Sequence, residues 1–272
     1  MNEPALSSDL YRTFLFPLNV LTHILLTEEG DVPYLHYGLF EREDESIGVA
    51  QQRSTDLLLA RLPPPPGRLL EVGVGLGTTF ARLRRLGYDA EGITPDPTQI
   101  AIAQSRFAGE LPLHAIGLES FETSRRYDIV LFQESAQYVD SAVLFGKVAA
   151  LSAPGASLIV LDEFALQPVD RPDALHRLDR FLAAAQSQAF RLEEEIDLSR
   201  KAAPTIDYFL RRLSGHRASI LAEVGVSAEQ LEGLIKSGQE YRELYRSGAY
   251  GYRLLSFRKG GTDSDGSLRR LV

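Results

Sequence analysis

The stretch Arg68-Leu69-Leu70-Glu71-Val72-Gly73-Val74-Gly75-Leu76-Gly77-Thr78-Thr79 constrains the fold more than any other part of the chain. A short apolar run meets three glycines at alternate positions, and helical periodicity follows from Thr78 to Leu86 before Gly87 stops it. That order reads as strand, tight turn, helix. Glycine lets the backbone adopt positive φ and lets another group approach the main chain closely. Just before the strand, Pro63-Pro64-Pro65-Pro66-Gly67 forbids a continuing helix and makes a stiff, extended connector.

The same alternation continues. A strand is expected around Ala90-Glu91-Gly92-Ile93, and a helix from Asp96-Pro97, a capping residue followed by proline at the first helical position. Leu113 to Ile116 is a weaker strand and Tyr127 to Phe132 a stronger one. Ala142 to Leu151 reads as a helix closed by Ala153-Pro154-Gly155, and Ser157 to Leu161 as the next strand. Continuous apolar runs separated by helices indicate parallel strands buried on both faces. The predicted fold class is therefore α/β: a Rossmann-like, seven-stranded, mostly parallel sheet with helices on both faces and a helical lid.

The flanks are different. Ser8 to Leu26 and Ala50 to Leu62 read as amphipathic helices. Pro172 to Ala189 is expected to be helical, Phe190 to Leu198 a strand, and Ala203 to Ser247 mostly helical, with a capping box at Ser227 and Gln230. Tyr250 to Phe257 supplies a last strand. The expected organisation is an N-terminal helical cover over 1–62, a ligand-binding half over 63–165, a second half over 166–259 carrying a lid at about 203–247, and a flexible tail over 260–272.

Composition narrows the partners. There are 37 acidic and 29 basic residues among 272, a formal net charge of −8, which repels phosphate backbones and argues against nucleic acid. The run Glu41-Arg42-Glu43-Asp44-Glu45 reads as a solvated face. No cysteine is present, so disulfides, thiolate metal sites and cysteine nucleophiles are excluded. The five histidines lack metal-ligand spacing, and no metal is expected. Phe14 to Leu26 is interrupted by Pro17, Asn19 and His23 and is too short to span a bilayer. Met1-Asn2-Glu3 lacks a basic signal-peptide start, so a cytoplasmic setting is expected.

The glycine turn lies where open α/β sheets bind ligands, at the carboxyl end of a strand. A dinucleotide turn has G-x-G-x-x-G, yet the sixth position counted from Gly73 is Thr78. The spacing here is G-x-G-x-G, with Glu71 two positions before the first glycine. This turn resembles motif I of class I S-adenosylmethionine methyltransferases. Gly92-Ile93-Thr94-Pro95-Asp96-Pro97-Thr98-Gln99 is similar to the segment of a subset that includes tocopherol, sterol and cyclopropane-fatty-acid-type enzymes. Phe132-Gln133-Glu134-Ser135-Ala136-Gln137-Tyr138 and Tyr34-Leu35-His36-Tyr37-Gly38 resemble further segments of that subset, and the likeness runs from about Tyr34 to Lys259.

The resemblance implies S-adenosylmethionine as cofactor, S-adenosylhomocysteine as product, and methyl transfer to carbon, nitrogen or oxygen of a small, apolar or isoprenoid-like acceptor. It implies cofactor contacts at Tyr37, Glu71, Gly73, Gly75, Gly77, Thr94, Gln99, Leu118, Glu119 and Gln133. The usual ribose carboxylate is replaced by Thr94, and the usual adenine aspartate by Leu118. Gln99 has a second reading, as the third helical residue closing a capping box with Asp96. Candidate catalytic groups are Glu134, His36 and Tyr138. Asp162 and Glu163 follow the fifth strand and are read as pocket groups or as caps of the next element. His36 is read as a base or as a hydrogen-bonded structural histidine. The alternatives in other classes are a nicotinamide-dependent oxidoreductase and a non-catalytic cofactor-binding protein on the same fold.

Overall fold

The computed structural model describes residues 13–107, 111–171 and 175–260. Five strands run parallel: β1 (Arg68–Val72), β2 (Asp89–Thr94), β3 (Leu113–Ala115), β4 (Tyr127–Gln133) and β5 (Ser152–Ala165). Next come β6 (Phe190–Asp197) and β7 (Tyr250–Lys259), with β7 antiparallel between β5 and β6. The sheet order is β3-β2-β1-β4-β5-β7-β6. This is the α/β, Rossmann-like, seven-stranded sheet that the alternation of apolar runs predicts.

The helices are α1 (Leu18–Glu29), α2 (Ile47–Leu59), α3 (Thr78–Arg85), α4 (Pro97–Arg106), α5 (Ser141–Leu151), α6 (Leu178–Ser187), α7 (Ser199–Ala202), α8 (Pro204–Gly215), α9 (Arg217–Glu223) and α10 (Ala228–Arg246). Local chemistry sets their ends. Ser46 Oγ accepts the Val49 N–H at 3.2 Å, so α2 begins three residues before the apolar pattern suggests. Asp96 accepts the Thr98 N–H at 2.8 Å and Pro97 opens α4. The capping box of α10 forms in both directions, at 2.9 and 3.1 Å between Ser227 and Gln230. The predicted helical readings over Ser8 to Arg12, Pro172 to Ala174 and the tail beyond Gly260 lie outside the described residues.

The strands bury alternate residues on opposite faces. Leu69, Ile129, Leu131 and Ile159 pack with Phe80 and Leu83 of α3 on one side. Leu70, Val130, Leu158 and Val160 pack with Phe145 and Val148 of α5 on the other. Burying each such side chain contributes roughly 1.5–3 kcal/mol. A third apolar cluster joins the N-terminal cover to the insertion between β6 and β7. In it Val20, Ile24 and Ile47 meet Tyr208, Leu213, Ile220 and Leu231. The two helical additions thus share a core of their own, and it reaches the glycine turn through Leu76.

One departure from the sequence reading matters for the site. β5 does not end at Leu161 but runs on through Asp162, Glu163 and Phe164, paired with Arg253, Tyr252 and Gly251 of β7. The two carboxylates are strand residues, 1% and 5% exposed, and not caps of a following helix.

The turn after β1 is held against the end of β4. Gly73 has φ +81°, and a Cβ there would lie 2.3 Å from the Ser135 Cβ. Ser135 in turn donates to the Val72 carbonyl. Gly75 has φ +53° but nothing within 4 Å of its Cβ direction. Gly73→Ala should therefore destabilise by about 3 kcal/mol, combining left-handed strain with overpacking, and Gly75→Ala by only about 1 kcal/mol, from strain alone. Chemical denaturation of the two variants checks the difference; equal losses would contradict it.

Candidate active site

A cavity of about 520 Å³ opens at the carboxyl ends of β1, β2 and β4. Its walls come from five places. The end of β1 and the turn after it supply Glu71 to Leu76, and α3 adds Thr78 and Thr79; the end of β2 supplies Ile93 to Asp96, with Gln99 from α4. The segment after β3 supplies Ile116 to Glu119, and the end of β4 supplies Gln133 to Ser135 with Tyr138 and Val139. The cover closes one side with Leu18 and Pro33 to His36.

Glu71 is 2% exposed and its Oε2 has no hydrogen-bond partner. Burial pushes its carboxyl well above the ordinary carboxylate range. A buried carboxylate with an unpartnered oxygen is stabilised by a cationic group placed beside it. The open space at Gly75 lets a ligand reach the main chain. The Thr94 hydroxyl donates to Gln99 Oε1 at 3.0 Å. Gln99 therefore turns its side chain to the end of β2 and does not close a capping box with Asp96; Asp96 caps α4 alone. Leu118 and Glu119 open a short 3₁₀ turn, Leu118–Ser120, so their N–H groups have no acceptor within it.

Two of the expected cofactor residues are not on the cavity wall. Gly77 faces away: it has φ +79° and a Cβ there would lie 2.6 Å from the Ala103 Cβ, so it serves the close packing of α3 against α4. Tyr37 stands behind the wall. Its N–H donates to Glu134 Oε1 at 2.6 Å, and its ring stacks on Tyr252, with centroids 5.9 Å apart and planes 8° apart. Gln133 lines the cavity, but its side chain is committed. Its Oε1 accepts from Thr79 and its Nε2 donates to Thr55, at 3.1 and 3.2 Å.

The three catalytic candidates sort differently. His36 lines the cavity, is 8% exposed and has both ring nitrogens in hydrogen bonds, to the Tyr37 carbonyl at 2.9 Å and the Thr55 hydroxyl at 3.0 Å. Burial lowers its pKa to about 4. With Nδ1 donating to the carbonyl, Nε2 accepts from Thr55, which leaves no nitrogen to take a proton from a substrate. Tyr138 stands at the rim with 78% of its surface exposed. Glu134 is half-buried, sits at φ +53° and takes the Tyr37 N–H and the Tyr252 hydroxyl, both at 2.6 Å and both on Oε1. Burial first, and then the neighbouring Glu163, raise its carboxyl well above the usual range. A non-glycine residue held at positive φ beside a cavity is a strained placement that its surroundings must enforce.

Tyr252, Thr55 and Ser135 complete the site, and sequence reasoning missed them as site residues. Tyr252 meets Glu134 across 118 positions and Thr55 meets Gln133 across 78. Only the pairing of β7 with β5 and the docking of α2 bring them together. Among the described residues, no group of three or more histidine and acidic side chains is arranged to hold a metal ion, and no helix is long and apolar enough to cross a membrane.

A glycine-turned ligand cavity at the switch edge of a Rossmann-like sheet is the setting of nucleotide-type cofactors. The family model described as methyltransferase domain matches residues 49–200, and the chain belongs to that family. It is 30% identical over 136 residues to a ubiquinone biosynthesis O-methyltransferase of Rhodopseudomonas palustris (strain HaA2), covering 44% of this chain and 54% of that one. The match thus spans about half the length of that relative. In fold, the chain is similar to a cyclopropane synthase from Mycobacterium tuberculosis, with TM-score 0.73, 21% identity and coverage of 93% and 95% of the two chains. It is also similar to geranyl diphosphate C-methyltransferase from Streptomyces coelicolor A3(2), solved with Mg²⁺, geranyl diphosphate and S-adenosyl-L-homocysteine. There the TM-score is 0.64 and the identity 17%, over 83% and 91% of the two chains.

The cover is already sewn down. The N–H groups of Tyr37, Gly38, Leu39 and Phe40 donate to Glu134, Thr205, Ala50 and Lys201 at 2.6 to 3.1 Å. Tyr34, Leu35 and His36, which face the cavity, have no such N–H partner. Saturation with S-adenosylhomocysteine should therefore slow hydrogen exchange at 34–36 and change 37–40 little. Strong new protection at 37–40 would show that the cover is open before the ligand binds.

Proposed function

We propose that this chain transfers a methyl group from S-adenosylmethionine to a small, largely apolar acceptor. The observation that carries the reading is the continuity of the cavity, which runs from Glu71, Gly75 and the Thr94–Gln99 pair to Glu134. When bound, S-adenosylmethionine supplies a methyl group on a sulfonium cation. The residues present fit it. Glu71 offers an unpaired buried carboxylate to the methionine ammonium. Thr94 and Gln99 face the ribose, and the N–H groups of Leu118 and Glu119 face the adenine edge. Gly75 leaves room for the main chain of the turn to touch the ligand. Thr94 in place of a ribose carboxylate, and Thr78 at the sixth position of the turn, both disfavour a nicotinamide dinucleotide.

Glu134 is assigned as the group that takes a proton from the acceptor. Its Oε1 is held by two donors, which leaves the second oxygen for the substrate. Leu18, Pro33, Leu35 and Val139 give the cavity apolar walls, in keeping with an isoprenoid-like acceptor. His36 is assigned to positioning, since it fixes the Tyr37 carbonyl and thereby the N–H that holds Glu134. In this reading residues 1–62 act as the cover, 63–165 as the cofactor half, and 166–259 as the second half with its lid at about 203–247. The net charge of −8 favours a small molecule over nucleic acid.

Calorimetry with S-adenosylhomocysteine and with NAD tests the cofactor. Tight binding of the first and none of the second is expected; the reverse would overturn the assignment. Gly75→Ala should remain folded and lose at least about tenfold in affinity, or about 1.4 kcal/mol. Thr94→Ala and Gln99→Ala should each cost about 1 kcal/mol of binding, and the double variant less than the sum, because the two side chains bond each other. Turnover is read as S-adenosylhomocysteine formed with cell-extracted lipids as acceptors, followed by mass spectrometry of the methylated product. Glu134→Gln should reduce that turnover about 10²–10⁴-fold without loss of cofactor affinity.

A further inference from the structure

Behind Glu134 lies a second carboxylate that the transfer reaction does not itself require. Glu163 is 5% exposed, inside β5, and among the described residues no lysine or arginine pairs with it. Its bonds are to phenols. Tyr245 of α10 donates to Oε1, and the hydroxyls of Tyr241 and Tyr37 also stabilise its charged form. Two tyrosines bridge it to Glu134. Tyr37 gives its N–H to Glu134, and its hydroxyl is close enough to Glu163 for each to shift the other's proton affinity. Tyr252 gives its hydroxyl to Glu134 and is the β7 residue paired directly with Glu163.

We propose that Glu163 is the positioning partner of Glu134: a carboxylate that acts through Tyr37 and Tyr252 to keep Glu134 ready to take a proton from an O–H or N–H acceptor. The inference rests on the reading of Glu134 as the proton acceptor. In the step it serves, the acceptor's proton passes to Glu134. The electron pair left on oxygen or nitrogen forms the bond to the methyl carbon, and the pair of the broken C–S bond returns to sulfur. A base for such a step must hold a proton more firmly than an exposed glutamate does, and a like charge nearby has that effect.

The groups facing Glu134 are few. From β5 come Glu163 and Asp162, from the cover Tyr37, from β7 Tyr252, and from the rim Tyr138. Asp162 is tied into the main chain: it accepts the N–H groups of Ala136, Gln137 and Glu163 at 2.8, 3.2 and 2.8 Å. It shapes the loop after β4. Glu163 instead faces the tyrosines, where its charge bears on Glu134. Burial raises its pKa to about 7, and its three phenols pull the other way. Its charge therefore changes in the range where Glu134 must work.

The test is a pH titration of the full-length protein by carbon-13 NMR of the glutamate side-chain carboxyl carbons. The Glu134 signal is identified by its absence from Glu134→Gln. In the wild type it should titrate above the ordinary glutamate range. In Glu163→Gln, which keeps the size and one acceptor oxygen and removes the charge, the midpoint should fall by about one unit or more. Tyr37→Phe removes the hydroxyl from Glu163 but leaves the main-chain N–H on Glu134. It should stabilise the protonated form of Glu163 and lower the Glu134 midpoint in the same direction, and it guards against a misfolded Glu163→Gln. A Glu134 midpoint unchanged in folded Glu163→Gln or Tyr37→Phe overturns the coupling. If the midpoint moves but Glu134→Gln retains turnover, the coupling stands and the proton-acceptor assignment fails.

Discussion

One carboxylate oxygen joins the three parts of this molecule. Glu134 Oε1 takes the main-chain N–H of Tyr37 from the cover and the hydroxyl of Tyr252 from the last strand, while Glu134 itself directly follows β4 of the core sheet. Each bond is charge-assisted when the carboxylate is ionised, and such bonds are roughly twice as strong as neutral ones. The cost is a backbone at φ +53° and a carboxylate in poorly solvated surroundings. Nothing in the stability of the sheet requires that arrangement. Its effect is to fix the far wall of the cavity and the near wall of the cover at the same point.

The fold was legible because its information is local. β1 is the pentapeptide Arg-Leu-Leu-Glu-Val bounded by Gly67 and Gly73, and its predicted and observed limits coincide. Helix ends differ by a few residues where a side-chain cap, such as Ser46, overrides the apolar pattern. The error at β5 has a clear origin. Asp162 and Glu163 are charged, and charge after an apolar run reads as the end of a strand. What keeps them in the strand is β7, some ninety residues later, together with three backbone N–H groups and the tyrosines of α10. A sequence window sees none of these.

The site was legible to the extent that backbone geometry decides it. Gly73 and Gly75 both stand at positive φ, and the structure separates their duties: one is packed against Ser135, the other is open to the cavity. Their spacing in sequence does not make that distinction, nor does it show that Gly77 serves α4. Side-chain roles were harder to read. A histidine beside a glycine and an aromatic residue suggests a base, but the protonation of an imidazole depends on its partners. For His36 those partners are the neighbouring carbonyl and Thr55, nineteen residues away.

The electrostatic character of the cavity follows from the same partners. Among the described residues, none of Glu71 and Glu134 on its wall, or Asp162 and Glu163 behind it, is in a salt bridge; Glu134, Asp162 and Glu163 are held by hydroxyl and N–H dipoles, and Glu71 Oε2 has no partner. Burial raises the pKa of all four carboxyls, and a cation placed beside them favours their charged form and is held by it. Elsewhere the chain does pair its charges, as in the contacts of Arg53 with Glu45, Arg106 with Asp31 and Arg253 with Asp197. The contrast marks the cavity as a place suited to a positively charged ligand. A sulfonium cofactor with a free ammonium meets that requirement; a diphosphate-bearing dinucleotide would bring negative charge to the same wall. The electrostatics and the spacing of the glycine turn are independent observations, one from side chains and one from the backbone, and they select the same cofactor.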